Sequence, residues 1–379
     1  MTFTVLQVLP TLGEQGGVER GAVDVAAAIV AAGGRAIVAS AGGVRVASLT
    51  RVQAEHVTIP AASKNPLVMF RNSRRLAKLI GRERVDLVHA RSRAPAWSAM
   101  AAAERCGVPF ITTFHGTYGT GSRLKLRYNS VMARGDRVIA ISHFIADHVH
   151  KIYSVPMSRL RVIHRGADLD LFNPDTVSAD RLVTQASRWR LEDGVPLILL
   201  PGRLTRWKGQ NVLVEALARL RRRDLRCIIL GSDQGRSRYS RELEKLIVAR
   251  GLGGIVRLID RAEDLPAAYM LSDVVVSAST EPEAFGRVLV EAQALGRPVI
   301  GTDHGGARET VLPGKTGWLT PPGDAQALAA AIDEAVNLTP AQRLKMAELA
   351  IAHVRANFGK DAMCAKTLAV YDEVLSGHG

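Results

Sequence analysis

The sequence predicts an α/β fold of two doubly wound, Rossmann-like domains facing a cleft lined by strand carboxyl ends. Three observations carry this expectation. The chain opens on a strand, a glycine loop, a helix and a second strand, the order of a βαβ unit. A second series of the same kind begins near Pro196. The composition over 379 residues is 47% hydrophobic with 5% aromatics and 34 glycines, which suits close-packed α/β layers better than a β-sandwich.

The elements follow in order. Residues 3–9 form a short run of β-forming apolar residues, followed by Thr11, Gly13 and the pair Gly16-Gly17. Residues 18–32 read as a helix stopped by Gly33-Gly34, and 35–40 as the next strand. Further strands are expected at 86–89, 109–113, 137–141 and 160–163. Asn173-Pro174 and the polar stretch to Asp193 read as a connector carrying some helix. In the second series, strands fall at 196–200, 226–230, 256–258, 274–277, 298–301 and 317–319. Helices at 210–222, 240–250, 266–270 and 288–295 lie between them, and 339–375 is helical apart from a break at Phe358-Gly359. The expected domains are 1–170 and 171–355, with 356–379 a helical segment returning to the first domain.

The 50 Lys and Arg against 36 Asp and Glu give a net charge of +14, and residues 1–180 hold 23 of the basic and 13 of the acidic residues. A phosphate-rich partner or an anionic membrane face fits that excess. Nucleic acid is disfavoured, because stacking aromatics are sparse and no binding module is recognisable. Cys106, Cys227 and Cys364 are an odd, scattered set without ligand spacing, which favours a reducing compartment. No basic region precedes the first apolar run, and no stretch of 18 apolar residues occurs. These readings place the protein in the cytoplasm.

Six groups of residues could carry chemistry. Gly16-Gly17 lies between strand and helix, where backbone N–H groups approach an anion or simply make a tight turn; the pattern is not GxGxxG, which disfavours a nicotinamide cofactor. Arg203 and Lys208 follow the first strand of the second series, placed to clamp a diphosphate or to sit as surface charges, with Arg206 between them. The run from Ser279 to Ala292 carries Glu281, Glu283, Phe285-Gly286 and Glu291 across a strand-to-helix junction. Carboxylates there suit sugar hydroxyls and helix N–H groups suit phosphate, while capping is the alternative for either early glutamate. The loop Asp303–Glu309 is similar, and helix capping alone explains Glu309. His115, at a strand end in the first domain, could donate to a substrate hydroxyl or be a satisfied loop residue. Arg71, Arg74, Arg75, Lys78 and Arg82 recur at helical spacing, as a solvated face or one that docks on anionic lipid. GxSxG, HExxH, Walker A and metal-ligand spacings are absent.

Taken together, GRLTRWKGQ, STEPEAFGRVLVEAQALGRPVIGTDHGGARE and GKTGWLTPPGD resemble the retaining GT-B glycosyltransferases of glycosyltransferase family 4. GGVER, TTFHGTYG and VIHRGADLDLF agree, so the resemblance covers essentially the whole chain. It implies an acceptor-binding first domain, a nucleotide-sugar-binding second domain and no bound metal or cofactor, the donor being a UDP- or GDP-sugar. The family's Glu-x7-Glu motif falls on Glu283, expected at the donor sugar's hydroxyls, and Glu291, expected at the ribose. Arg203 and Lys208 match the diphosphate-binding positions, and Phe285, Gly286, Arg287, Val288 and Leu289 would pack over phosphate and ribose. Gly16 and Gly17 would lie near the phosphate, Ile259 near the base and His115 near the transferred sugar.

The implied reaction is front-face transfer. The diphosphate departs against Arg203 and Lys208 while the acceptor hydroxyl attacks from the same side. The TTFHGTYG region points to a glycan or glycolipid acceptor of bacterial lipopolysaccharide or a related envelope polymer, handled at the cytoplasmic face of the inner membrane. His164-Arg165-Gly166-Ala167-Asp168 stands where many relatives have Asn-Gly-Val-Asp, and Ser232-Asp233 replaces a glycine-rich turn. A sugar-nucleotide 2-epimerase and a non-catalytic sugar-binding protein are the alternatives.

Overall fold

Burial on both faces makes strands read as continuous apolar runs, and that is what the two sheets here require. The computed structural model describes residues 3–13, 17–119, 121–235 and 237–377. The chain divides into two compact units, one of Met1–Gly166 with Lys360–Gly379 and one of Ala167–Gly359. Each break falls four residues from the boundary expected above. The reason is local: Ala167 N–H donates to the Phe358 carbonyl at 2.7 Å, and Ala167 bridges Gly359, tying the two ends of the second unit together.

In the first unit, β1 (Thr4–Val8), β2 (Arg35–Ser40), β3 (Glu55–Thr58), β4 (Leu87–Ala90), β5 (Phe110–Phe114), β6 (Arg137–Ala140) and β7 (Leu160–Val162) form one sheet. Its order is β3-β2-β1-β4-β5-β6-β7, and every neighbouring pair is parallel. Val5 lies opposite both Ala36 and Leu87, so β1 is the centre from which the chain winds first one way and then the other. The sequence reading missed β3, an edge strand with a half-exposed, polar face and no apolar run to mark it. The final helix, Lys360–Ser376, belongs to this unit. Its Cys364, Val370, Tyr371 and Val374 join Ala22, Val25 and Ile29 of the helix Gly17–Ala31 in one core cluster.

In the second unit, β8 (Leu197–Pro201), β9 (Arg226–Leu230), β10 (Val256–Ile259), β11 (Val274–Val276), β12 (Val299–Thr302) and β13 (Gly317–Thr320) are again all parallel. The order is β10-β9-β8-β11-β12-β13. The helix after β8 ends at Arg219 rather than Arg222. A further helix, Ala325–Val336, starts from Asp324, whose carboxylate accepts from the N–H groups of Gln326 and Ala327. Its Leu328, Ile332 and Ala335 face the core.

The order reverses between β1 and β4 in the first sheet and between β8 and β11 in the second. Open α/β sheets bind ligands at the strand carboxyl ends beside such reversals.

Candidate functional site

At the reversal in the second unit, two loops are pressed together by glycine. The loop after β8 runs through a short 3-10 turn, Arg206–Lys208, and turns at Gly209 with φ +68°. A Cβ there would lie 1.8 Å from the Ala278 carbonyl oxygen, so no side chain fits. The Thr280 N–H donates to the Trp207 carbonyl at 2.7 Å, completing the seam.

This approach delivers Lys208 to Glu283, with Nζ 2.7 Å from Oε1 and both side chains nearly buried. The same carboxylate oxygen accepts from Ser277 Oγ at 2.9 Å and Ser279 Oγ at 2.5 Å. Ser279 is itself held, because its carbonyl accepts from Thr302 Oγ1 and His304 Nε2, each at 3.0 Å. Burial pushes the Glu283 carboxyl up, but the Lys208 charge and the bonds from Lys208, Ser279 and Ser277 outweigh it, and the net shift is downward. Glu283 is therefore an ionised acceptor and not a helix cap. Glu281 is exposed; it lines a separate groove of about 500 Å³ with Trp207, Tyr239 and Glu242.

The backbone past Glu283 is clamped from the other side. Gly306 N–H donates to the Glu283 carbonyl at 2.8 Å, and a Cβ on Gly306 would meet the Phe285 Cα at 2.4 Å. Phe285 is buried against the Phe358 ring. Gly286, with φ +82°, then starts the helix Arg287–Ala294 with no side chain capping it, so its first N–H groups are open to an anion. Glu291, 2% exposed, sits in the second turn of this helix. Its Oε1 pairs with Arg287 Nε at 3.0 Å and its Oε2 accepts from Tyr269 OH at 3.1 Å. An ionised carboxylate has about four lone-pair sites, so acceptor capacity remains beyond these two partners.

Other expected residues stand apart. The Arg203 side chain is exposed and makes no hydrogen bond or ion pair among the described residues; its carbonyl accepts from Gln210 Nε2. Arg206 faces solvent and pairs with Glu242. Ile259 ends β10, its carbonyl accepting from Gly231 N–H at 2.8 Å. Glu309 lies in the short helix Ala307–Thr310.

His115 belongs to the first unit, just past β5. Arg165 Nη2 approaches its Nδ1 at 3.5 Å, which leaves the ring proton on Nε2. Burial, then the charges of Arg165 and Arg91, lower its pKa well below the usual histidine value. It is a neutral donor whose Nε2 has no hydrogen-bond partner among the described residues. Gly17 opens the helix Gly17–Ala31, its carbonyl accepting from Arg165 Nη1 at 2.8 Å; Gly16 lies outside the described residues.

The sequence reading missed Ser277, Ser279 and Tyr269 as partners of the two glutamates. Period-two alternation past β11 could have flagged the serines. Tyr269 is distant in sequence and carried no signal. No helix among the described residues is long and apolar enough to cross a membrane.

The chain matches two family models and several known proteins. Residues 15–171 match the family model described as Glycosyltransferase Family 4, and 184–353 the one described as Glycosyl transferases group 1. The chain is 33% identical to a D-inositol 3-phosphate glycosyltransferase of Xylanimonas cellulosilytica over 76% of its length and 71% of the relative's. It is 37% identical to a glycosyltransferase of Rickettsia africae, whose crystal structure aligns with a TM-score of 0.91 over 99% of each chain. Anabaena HepE, solved in complex with UDP-glucose, aligns with a TM-score of 0.83 at 25% identity, over 97% of this chain and 99% of that one.

Proposed function

Because the chain belongs to glycosyltransferase family 4 and has the two-domain GT-B fold, we propose that it transfers a sugar, with retention of configuration, from a nucleoside-diphosphate sugar to a hydroxyl of a glycan or glycolipid acceptor. The observation that supports the donor half is the Lys208–Glu283 pair beside the uncapped helix start at Gly286. UDP is the favoured nucleotide, since HepE is solved with UDP-glucose.

In this reading the diphosphate lies on the N–H groups of Arg287 and Val288 and on Lys208, with Arg203 swinging in from solvent. Phe285 and Leu289 pack beneath it, Glu291 takes the ribose hydroxyls, and Ile259 edges the base. Glu283, kept ionised, accepts from the donor sugar's hydroxyls. His115 lies beside the transferred sugar, and Gly17 bounds the phosphate. As the glycosidic bond lengthens, negative charge grows on the diphosphate and Lys208 stabilises it, so no divalent ion is called for. The acceptor oxygen forms its bond on the face the diphosphate leaves. Its proton passes to a diphosphate oxygen.

The acceptor belongs to bacterial envelope polysaccharide or lipopolysaccharide assembly in this reading. The name of the Xylanimonas relative favours a second reading, a small phosphorylated polyol. The exposed Leu67 and Phe70 among the exposed Arg71, Arg74 and Lys78 on the helix Pro66–Glu83 support docking on an anionic bilayer. The test incubates the protein, with and without chelator, with UDP-, GDP- and ADP-sugars and either envelope glycolipids or polyol phosphates. Acceptor-dependent nucleotide release and an α-linked product from an α-donor are expected. Release that ignores the acceptor, or a β-linked product from that donor, overturns the reading.

A further inference from the structure

We propose that the first unit contains a subsite for an oxyanion, the phosphate or carboxylate of the acceptor, built from Arg91, Arg165 and His115. It deepens the transferase reading by assigning the acceptor a charged group.

The place is the reversal of the first sheet. Arg91 follows β4, its N–H donating to the Val8 carbonyl at the end of β1 at 3.0 Å, and His115 follows β5, the next strand beyond β4. With Arg165, Gly21, His89 and Thr113 they line a cavity of about 20 Å³, room for one water-sized group such as a single anion oxygen. No acidic side chain among the described residues lines it. Burial acts most strongly on Arg91, and the field of Asp24, on the helix Gly17–Ala31, is a smaller opposing effect.

Arg91 is only 5% exposed. Its Nε donates to Gln7 Oε1 at 2.6 Å and a further hydrogen bond joins the guanidinium to Tyr371, which fixes it, while its Nη2 is shielded from solvent and has no hydrogen-bond partner among the described residues. The second orphan donor is His115 Nε2. Leaving a buried charged donor unmet is costly unless something binds there. Arg165 is held in place by the Gly17 carbonyl, and a Cβ on Gly21 would lie 3.8 Å from Nη1 of both Arg165 and Arg91. The two guanidiniums therefore flank one spot beside Gly21. Behind them the framework is rigid: His89 bonds Tyr371 OH at 2.6 Å and Thr113 Oγ1 at 2.7 Å. Two fixed guanidiniums and a neutral N–H donor are the chemistry of phosphate or carboxylate recognition.

The test titrates the full chain, ¹⁵N-labelled at histidine, with inorganic phosphate at constant ionic strength. The His115 Nε2 resonance should shift on saturation, and Arg165→Gln should weaken that response about tenfold. Parallel titrations with a polyol phosphate monoester and a sugar carboxylate identify the source, the tighter of the two being the acceptor's group. Crystals of the wild-type chain soaked in selenate should show selenium against Arg91 and His115. Selenium only elsewhere, water alone in the cavity, or identical titrations for wild type and Arg165→Gln overturn the proposal. None of these readouts requires turnover, so they fail independently of the transferase reading.

Discussion

The two sheet reversals use the same topology and treat charge in opposite ways. In the second unit, Lys208 is met by Glu283, and the carboxylate is further satisfied by Ser277 and Ser279. In the first, among the described residues, no acidic side chain lines the cavity where Arg91, Arg165 and His115 converge, and Arg91 Nη2 and His115 Nε2 have no hydrogen-bond partner. The difference teaches where binding energy can be drawn. A paired cation must exchange a partner before it meets a phosphate, whereas an unmet buried donor has already lost its water and gains fully from an anion.

The sharpest way to break the comparison is to unpair the second site. Lys208→Met leaves a buried carboxylate uncompensated and should cost about 3–5 kcal/mol of stability by denaturant unfolding. The double variant Lys208→Met/Glu283→Gln should recover most of that loss but not activity. Turnover should stay down by about 10²–10³, the usual effect of removing one charge-stabilising donor. Recovery of turnover in the double variant would remove Lys208 from the chemistry.

Next in size is Gly306→Ala. Overpacking against the Phe285 backbone should cost about 1–3 kcal/mol and lower donor affinity by displacing the Gly286 helix start. An unchanged unfolding midpoint would refute the clamp.

Tyr371→Phe tests the framework of the first unit. It removes the partner of His89 Nδ1 and should cost about 1–2 kcal/mol in unfolding experiments.

Acidification separates the sites without mutation. The native pKa of Glu283 lies below the ordinary value of about 4.3, so its stabilising contribution is complete above that value and is lost as pH falls through the native pKa. The stability difference between wild type and Glu283→Gln should shrink from pH 6 to pH 3. His115, already neutral, should add no step to a donor-binding profile between pH 6 and 8. The smallest effect expected is on membranes: sedimentation with anionic vesicles should exceed that with neutral ones and fall with salt, while equal recovery would argue against a docking face.

Much of the fold was legible from residue order. Short apolar runs marked twelve of the thirteen strands among the described residues, and only β3, half-exposed and polar, lacked the signal. Lys208, Glu283 and Glu291 were legible as motif residues at strand ends, but their partners were not. Tyr269 reaches Glu291 from 22 residues away, and Tyr371 reaches His89 across 282. Arg165 could be seen to depart from the family pattern, yet its bond to the Gly17 carbonyl spans 148 residues.

The sequence by itself determined the α/β class, the division into two units and the residue types available at each strand end, because those follow from periodicity and turn chemistry over a few neighbouring residues. Tertiary structure alone decided which charges are paired and which are left unmet. That outcome depends on side chains brought within about 3 Å from opposite ends of the chain, where burial strips water away and makes each missing partner count.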